Sequence, residues 1–119
     1  MRKTLVLGAA SNPRRYSNKA VRLLIRKEIP LVAVGFRKGM IEDIEIETGK
    51  PDVNDIHTVA LYIGKERQAE YYNYLLDLHP SRIIFNPGTD NPELMEMAKN
   101  QGIEVVTGCL LIMLHSGKF

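Results

Sequence analysis

Between Leu5 and Ser17 the chain reads LVLGAASNPRRYS, an apolar run, a glycine, three small residues, then Asn12, Pro13 and two arginines. Gly8 permits a tight turn and close backbone approach, while Ala9, Ala10 and Ser11 leave main-chain amides uncovered. A helix starting near Ser17, a candidate N-cap, turns the positive end of its dipole back into this loop, and Arg15 stands beside it. The combination suits a diphosphate lying over Gly8 to Asn12. It is not the three-glycine dinucleotide fingerprint, because Ala10 and Pro13 occupy the positions of the second and third glycines. A strand-to-helix loop that merely needs small residues would read the same way.

A second candidate follows the next apolar run, in VGFRKG from Val34 to Gly39. An NAD site usually places a carboxylate there to hold the ribose hydroxyls, but here Gly35 and Phe36 lead into Arg37 and Lys38. Two cations at the ribose end suit a ligand with an extra ribose phosphate, as in NADP or coenzyme A (CoA). The plain alternative is a solvated basic turn.

The remaining reactive side chains form no constellation. Gly49-Lys50 fails as a P-loop, since Ile44 stands where the first glycine belongs and Pro51 follows the lysine. His57, His79 and His115 lack partners at catalytic or metal-ligand spacing. Glu42, Asp43, Glu45 and Glu47 read as a solvated edge rather than a cation site. Cys109, near a helix start, could acquire a lowered pKa and react with a bound thiol, but the expectation is a buried, inert cysteine. Tyr71, Tyr72 and Tyr74 face different directions around one helix and leave a homodimer surface open. No catalytic residue and no metal site is expected.

Elements that could position these loops are legible as alternating strands and helices. Apolar runs at Thr4–Leu7 and Leu31–Val34 read as buried strands, and His57–Ile63, Arg82–Phe85 and Ile103–Val106 as three further strands. Gly8, Gly35 and Gly64 close the first three, and Asn86, Pro87 and Gly88 follow the fourth; all join the candidate ligand set. Val21, Leu24, Ile25 and Ile29 recur at helical spacing until Pro30, and Ala69, Tyr72, Leu75 and Leu76 mark the inner face of a second helix. Asn91 can cap a third, with Pro92 at its first position and Gly102 after its end. A short apolar helix over Cys109–Leu114 closes the series. Between Gly39 and Asp55 no helix is apparent; Ile44 and Ile46 alternate with glutamates, as in a loop with a short edge strand. The expectation is an α/β, Rossmann-like three-layer fold with a five-stranded parallel sheet, order 3-2-1-4-5.

Composition is that of an ordinary soluble globule, 45% hydrophobic and 25% charged over 119 residues, read as one domain over 1–119. No apolar stretch approaches the roughly 20 residues of a membrane span. The apolar run after Arg2 and Lys3 is also too short for a secretory signal, and Arg14 and Arg15 follow it at once. A net charge of +2 is far from a nucleic-acid-binding surface. The single cysteine allows no internal disulfide and agrees with a reducing cytoplasm.

Taken together, GAASNPRRYS, the VGF turn, FNPGTDNPEL after strand four and the terminal VVTGCLLIML make the chain resemble the small stand-alone CoA-binding proteins related to the N-terminal domain of the succinyl-CoA synthetase alpha subunit. The likeness covers nearly the whole chain. The family commonly reads Gly-Ala-Ser-x-Asn-Pro-x-Arg-x-Ser in its first loop; Gly8, Ala9, Asn12, Pro13, Arg15 and Ser17 match, while Ala10 replaces the serine. Gly35-Phe36 stands in place of the usual Asn-Pro. The resemblance implies CoA or acyl-CoA as ligand. It does not imply ligase activity, because the synthetase works through a phosphohistidine in a further domain. The expected function is therefore non-catalytic CoA binding, as a sensor or carrier, without nucleic acid or membrane. Two alternatives stay open: an NADP-binding reductase or redox sensor with Tyr16 or Tyr62 as proton donor, and a protein-interaction domain that has lost its ligand.

Overall fold

The computed structural model describes residues 2–119. In chain order it contains β1 (Thr4–Leu7), α1 (Tyr16–Arg26), β2 (Leu31–Val34), β3 (Gly39–Ile41), β4 (Ile44–Glu47), β5 (Thr58–Leu61), α2 (Lys65–Gln68), a 3-10 turn (Ala69–Tyr71), α3 (Tyr72–Asp77), β6 (Arg82–Phe85), α4 (Pro92–Asn100), β7 (Glu104–Thr107) and α5 (Leu110–His115). Every residue of β1, β5 and β6 is buried. These strands are covered on both faces, which is why they read as unbroken apolar runs rather than alternating ones.

The α/β class holds, but the sheet differs from the five-stranded expectation. It has seven strands in the order β3-β4-β2-β1-β5-β6-β7, all neighbours parallel except β3 and β4. The strand expected at the far edge, β5, instead lies directly against β1, with Thr4 opposite Thr58 and Leu7 opposite Leu61. The cause is the helix-free segment. Its alternation makes an antiparallel hairpin that buries Ile41 and Ile46 and exposes Glu45 and Glu47. β4 then adds to β2 in parallel, pairing Ala33 with Ile46 and Val34 with Glu47. With that edge of β2 filled, the next strand joins on the other side of β1.

Side chains of period two divide the core between the faces. Leu5, Leu7, Val59, Leu61, Ile83 and Phe85 pack against Tyr71, Leu75 and Leu76 and against Leu94 and Ala98 of α4. Val6, Ala33, Ala60 and Ile84 face Ala20, Val21 and Leu24 of α1 and Leu110 and Leu114 of α5. Burying one such Leu or Ile side chain contributes about 1.5–3 kcal/mol. The loop after β1 thus leads to one face and the loop after β5 to the other. That divergence is the topological switch point, where ligands enter doubly wound sheets.

Two helices depart from the expected form. The second is broken into α2, the 3-10 turn and α3, and the tighter winding brings Tyr71 inward while Ala69 is exposed. In α1, Ser17 is not the cap: the helix starts at Tyr16, the N-cap is Arg15, and Ser17 is buried within the first turn. α4 follows the sequence, with Asn91 Oδ1 accepting from Leu94 N at 3.3 Å and Gly102 at φ +74° beyond its end.

At the starts of β5 and β6, away from the switch point, Arg82 is 5% exposed. It donates from Nε to Thr58 Oγ1 at 2.8 Å, and its guanidinium lies 4.5 Å from the Phe119 ring centroid. The Thr58 hydroxyl also meets His57 Nδ1 at 2.7 Å. Burial, then the Arg2 and Arg82 cations, hold the His57 pKa below its ordinary 6.5. The unfolded chain therefore binds a proton that the folded one resists, so stability is present above 6.5 and falls as pH drops toward the lowered folded value. Urea midpoints at pH 5.5 and 7.5 should differ in that direction, and His57→Gln should narrow the difference.

Candidate functional site

Where β1 ends, its backbone is fastened to both neighbours. Gly8 N and Ala9 N donate to the same carbonyl, Val34 O, at 2.8 and 2.9 Å, and Tyr62 N donates to Leu7 O at 2.8 Å. Gly8 has φ +103°, and a Cβ there would come within 2.9 Å of Ile63 Cγ2 and 3.0 Å of the Tyr62 carbonyl carbon. Gly35 is held more tightly still: its Cβ would fall 2.2 Å from Ala9 O. A Cβ on Gly39 would come 3.2 Å from Ser11 Cβ. The two glycines bracketing Phe36, Arg37 and Lys38 thereby let the VGFRKG turn lie directly on the Gly8–Ser11 loop. The two segments singled out in the sequence are brought together.

Within that loop Asn12 forms its own turn, accepting Arg14 N on Oδ1 at 3.0 Å and Arg15 N on its carbonyl at 3.1 Å. Asn18, buried in α1, donates to Ala10 O at 2.9 Å and is itself fixed by Arg22 Nε at 2.8 Å. The amides of Ala10, Ser11 and Asn12 have no protein partner among the described residues. Ser11, Asn12 and Arg15 are exposed, as are Phe36, Arg37 and Lys38. Asn18, which holds the candidate loop from beneath, carried no signal in the sequence beyond its place in the first turn of α1.

The other strand ends are closed by protein groups. Asn86 is 1% exposed. It donates from Nδ2 to Leu61 O at 2.9 Å and accepts Leu110 N on Oδ1 at 2.8 Å, so it joins β5 and β6 to the start of α5. Thr89 Oγ1 donates to Asn86 O at 2.7 Å. Gln68, fully buried, donates to Ile63 O at 2.9 Å and Thr89 O at 2.8 Å, and accepts from Asn91 Nδ2 at 2.9 Å. Asn91 also donates to the Tyr72 hydroxyl at 2.8 Å. Pro87 and Gly88 are exposed, and Gly64 is the backbone N-cap of α2. Gln68, Thr89 and Asn91 thus brace the edge of the site; their partners lie up to 23 residues away, beyond the reach of local pattern.

The helices that follow strands differ accordingly. α4 is capped by Asn91 and α5 by the remote Asn86, but α1 and α2, on either side of the switch point, begin without a side-chain cap. Tyr71 is buried, Tyr72 accepts from Asn91, and the Tyr74 hydroxyl donates to Pro51 O at 2.7 Å, so all three tyrosines are engaged within the chain. Tyr62 has a buried hydroxyl with no hydrogen-bond partner, and burial, with Cys109 nearby, raises its pKa. Cys109 is partly exposed rather than buried. Among the described residues no group of acidic, histidine or cysteine side chains could hold a metal, and no helix is long and apolar enough to cross a membrane.

This arrangement agrees with a comparison of known families, in which residues 2–115 match the CoA binding domain. The chain belongs to that family. Among solved structures, an uncharacterized protein 43% identical has the same fold, with a TM-score of 0.97, covering 100% of this chain and 98% of that one. A Thermus thermophilus structure is 22% identical at TM-score 0.87, covering 99% and 90% of the two chains. A conserved hypothetical protein from Pyrococcus furiosus is 19% identical at TM-score 0.81, covering 94% and 98%. These last two share the fold. No curated protein matches the chain.

In this CoA-binding domain Gly35→Ala should cost about 1–3 kcal/mol through overpacking, read from the urea midpoint. Gly108→Ala, with nothing within 4 Å of the added Cβ, should leave the midpoint unchanged or slightly higher. Asn86→Ala should cost about 2–4 kcal/mol, because it leaves both Leu61 O and Leu110 N unpaired in the interior. Equal midpoints for Asn86→Ala and the unmodified protein would show that this brace carries no load.

Proposed function

We propose that the chain binds CoA or an acyl-CoA at the switch point between β1 and β5, without catalysing a reaction of its own. The observation that carries this reading is the set of three amides, Ala10, Ser11 and Asn12, left without protein partners beside the uncapped start of α1, where the other strand-following helices away from the crevice are capped. Successive free amides at a helix start favour a diphosphate. Gly8 and Gly35 fit such a group, because side chains there would displace the loop that offers those amides. Arg15 would reach a phosphate oxygen. Ser17, buried in the helix, would contribute to loop shape rather than to capping. Ala9 would pass the chain beneath the ligand, Gly64 would lie at the crevice wall, and Asn86, Pro87 and Gly88 would shape its far side.

Arg37 and Lys38, exposed on a turn that lies against this loop, would take the ribose phosphate. The family match supports CoA over NADP, and the enclosed hydroxyl of Tyr62 argues against that tyrosine as the proton donor a reductase would need. The whole chain would act as one module, a sensor or carrier, in a reducing cytoplasm suited to its one cysteine.

Titration calorimetry with CoA, dephospho-CoA and NADP tests the reading. CoA should bind most tightly. A charge-assisted contact to the ribose phosphate is worth about 1.5–3 kcal/mol, so dephospho-CoA should bind roughly ten- to a hundredfold more weakly. Replacing Arg37 and Lys38 by Ala should remove that difference and leave dephospho-CoA nearly unaffected. Tighter binding of NADP would favour the reductase class, and no binding at all would favour an interaction domain without ligand. Gly8→Val would strain the fold itself and so does not report on the ligand.

A further inference from the structure

The Arg67 guanidinium of α2 lies over the exposed Phe36 ring, 3.6 Å from its centroid. Phe36 follows β2 and Arg67 follows β5, the two strands that flank β1, so the stack joins the two sides of the switch point. A guanidinium stacked on an aromatic face leaves the N–H donors in its own plane free to form a fork toward an oxyanion. Arg67 has no side-chain hydrogen bond to protein among the described residues; its contact is the ring. Phe36 is 42% exposed, so burial does not account for its presence in a turn of otherwise polar residues.

We infer that Arg67, held by Phe36, is an anion receptor of the crevice and takes a phosphate of the bound nucleotide. This rests on the nucleotide reading and adds to it a specificity residue from a helix that carries no glycine or phosphate motif. It also gives Phe36 a defined task, which is to hold the fork in place. A lysine at 67 would keep the charge but lose the planar stack and the paired donors.

The test is calorimetry of Arg67→Ala, Arg67→Lys and Phe36→Leu with CoA and dephospho-CoA, alongside urea midpoints. Arg67→Ala should raise the CoA dissociation constant about tenfold or more. Arg67→Lys should recover only part of that loss, and Phe36→Leu should weaken CoA while adding little on top of Arg67→Ala. Loss confined to CoA assigns the fork to the ribose phosphate; equal loss for both ligands assigns it to the diphosphate. A changed midpoint with unchanged affinity, or a Phe36→Leu variant that binds like the unmodified protein, overturns the inference and leaves the nucleotide reading standing. If the unmodified protein binds neither ligand nor NADP, the nucleotide reading fails, and inorganic pyrophosphate becomes the probe. Pyrophosphate binding that Arg67→Ala abolishes then keeps the receptor; equal binding, or none to the unmodified protein, overturns it.

Discussion

A backbone oxygen occupies the place of a side chain in this protein. Ala9 O sits where any Cβ on residue 35 would have to be, because Gly8 N and Ala9 N both turn onto Val34 O as β1 ends. Main chain packed on main chain in this way brings the loop after β1 and the turn after β2 closer than side chains would permit. Everything proposed for the crevice follows from that approach. The free amides of one segment and the cations of the other belong to a single surface only because Gly35 lets them touch.

Polar groups at the carboxyl edge of the sheet are divided between two tasks. Around β6, Asn86, Thr89, Gln68 and Asn91 use their donors and acceptors on each other and on main-chain atoms of β5, α4 and α5. Such a satisfied network has no interest in a ligand, and its contribution is rigidity. Around β1 the amides of Ala10, Ser11 and Asn12 lack protein partners while Asn18 fixes the loop from beneath. A preorganised loop with unspent donors loses little entropy on binding. The braced half therefore serves as the frame against which the open half is presented.

Much of this was legible in the sequence. Apolar runs marked β1, β2, β5 and β6 because both their faces or most of them are covered, the valine pair marked the edge strand β7, and Asn91-Pro92 with Gly102 marked α4 because caps are local chemistry. Strand order was not legible. The rule for right-handed crossovers applies to a helical connection, and residues 35–57 contain a hairpin instead, whose pairing with β2 decides the matter. Ser17 looked like a cap because serine favours that role; the backbone enters the helix earlier, at Tyr16, and turns the serine inward. The two candidate loops were identified by composition alone, but their contact rests on atoms of Ala9 and Gly35 that no spacing rule relates. Gln68 and Arg67 carried no local signal, since what gives each its place is a partner in a distant loop.

Arg2 donates to the main-chain oxygen of Phe119, whose ring also covers Arg82. The two ends of the described chain thus meet, and they do so at the start of β1, while the crevice lies beyond its finish. In connectivity the fold is nearly a closed ring. A short glycine linker could join residue 119 to residue 2, and new termini could be opened at the exposed Glu42-Asp43 turn, a circular permutation that cuts no strand of the central sheet. By the same geometry, a reporter or surface anchor fused at either end would hold the protein with its crevice facing away from the attachment.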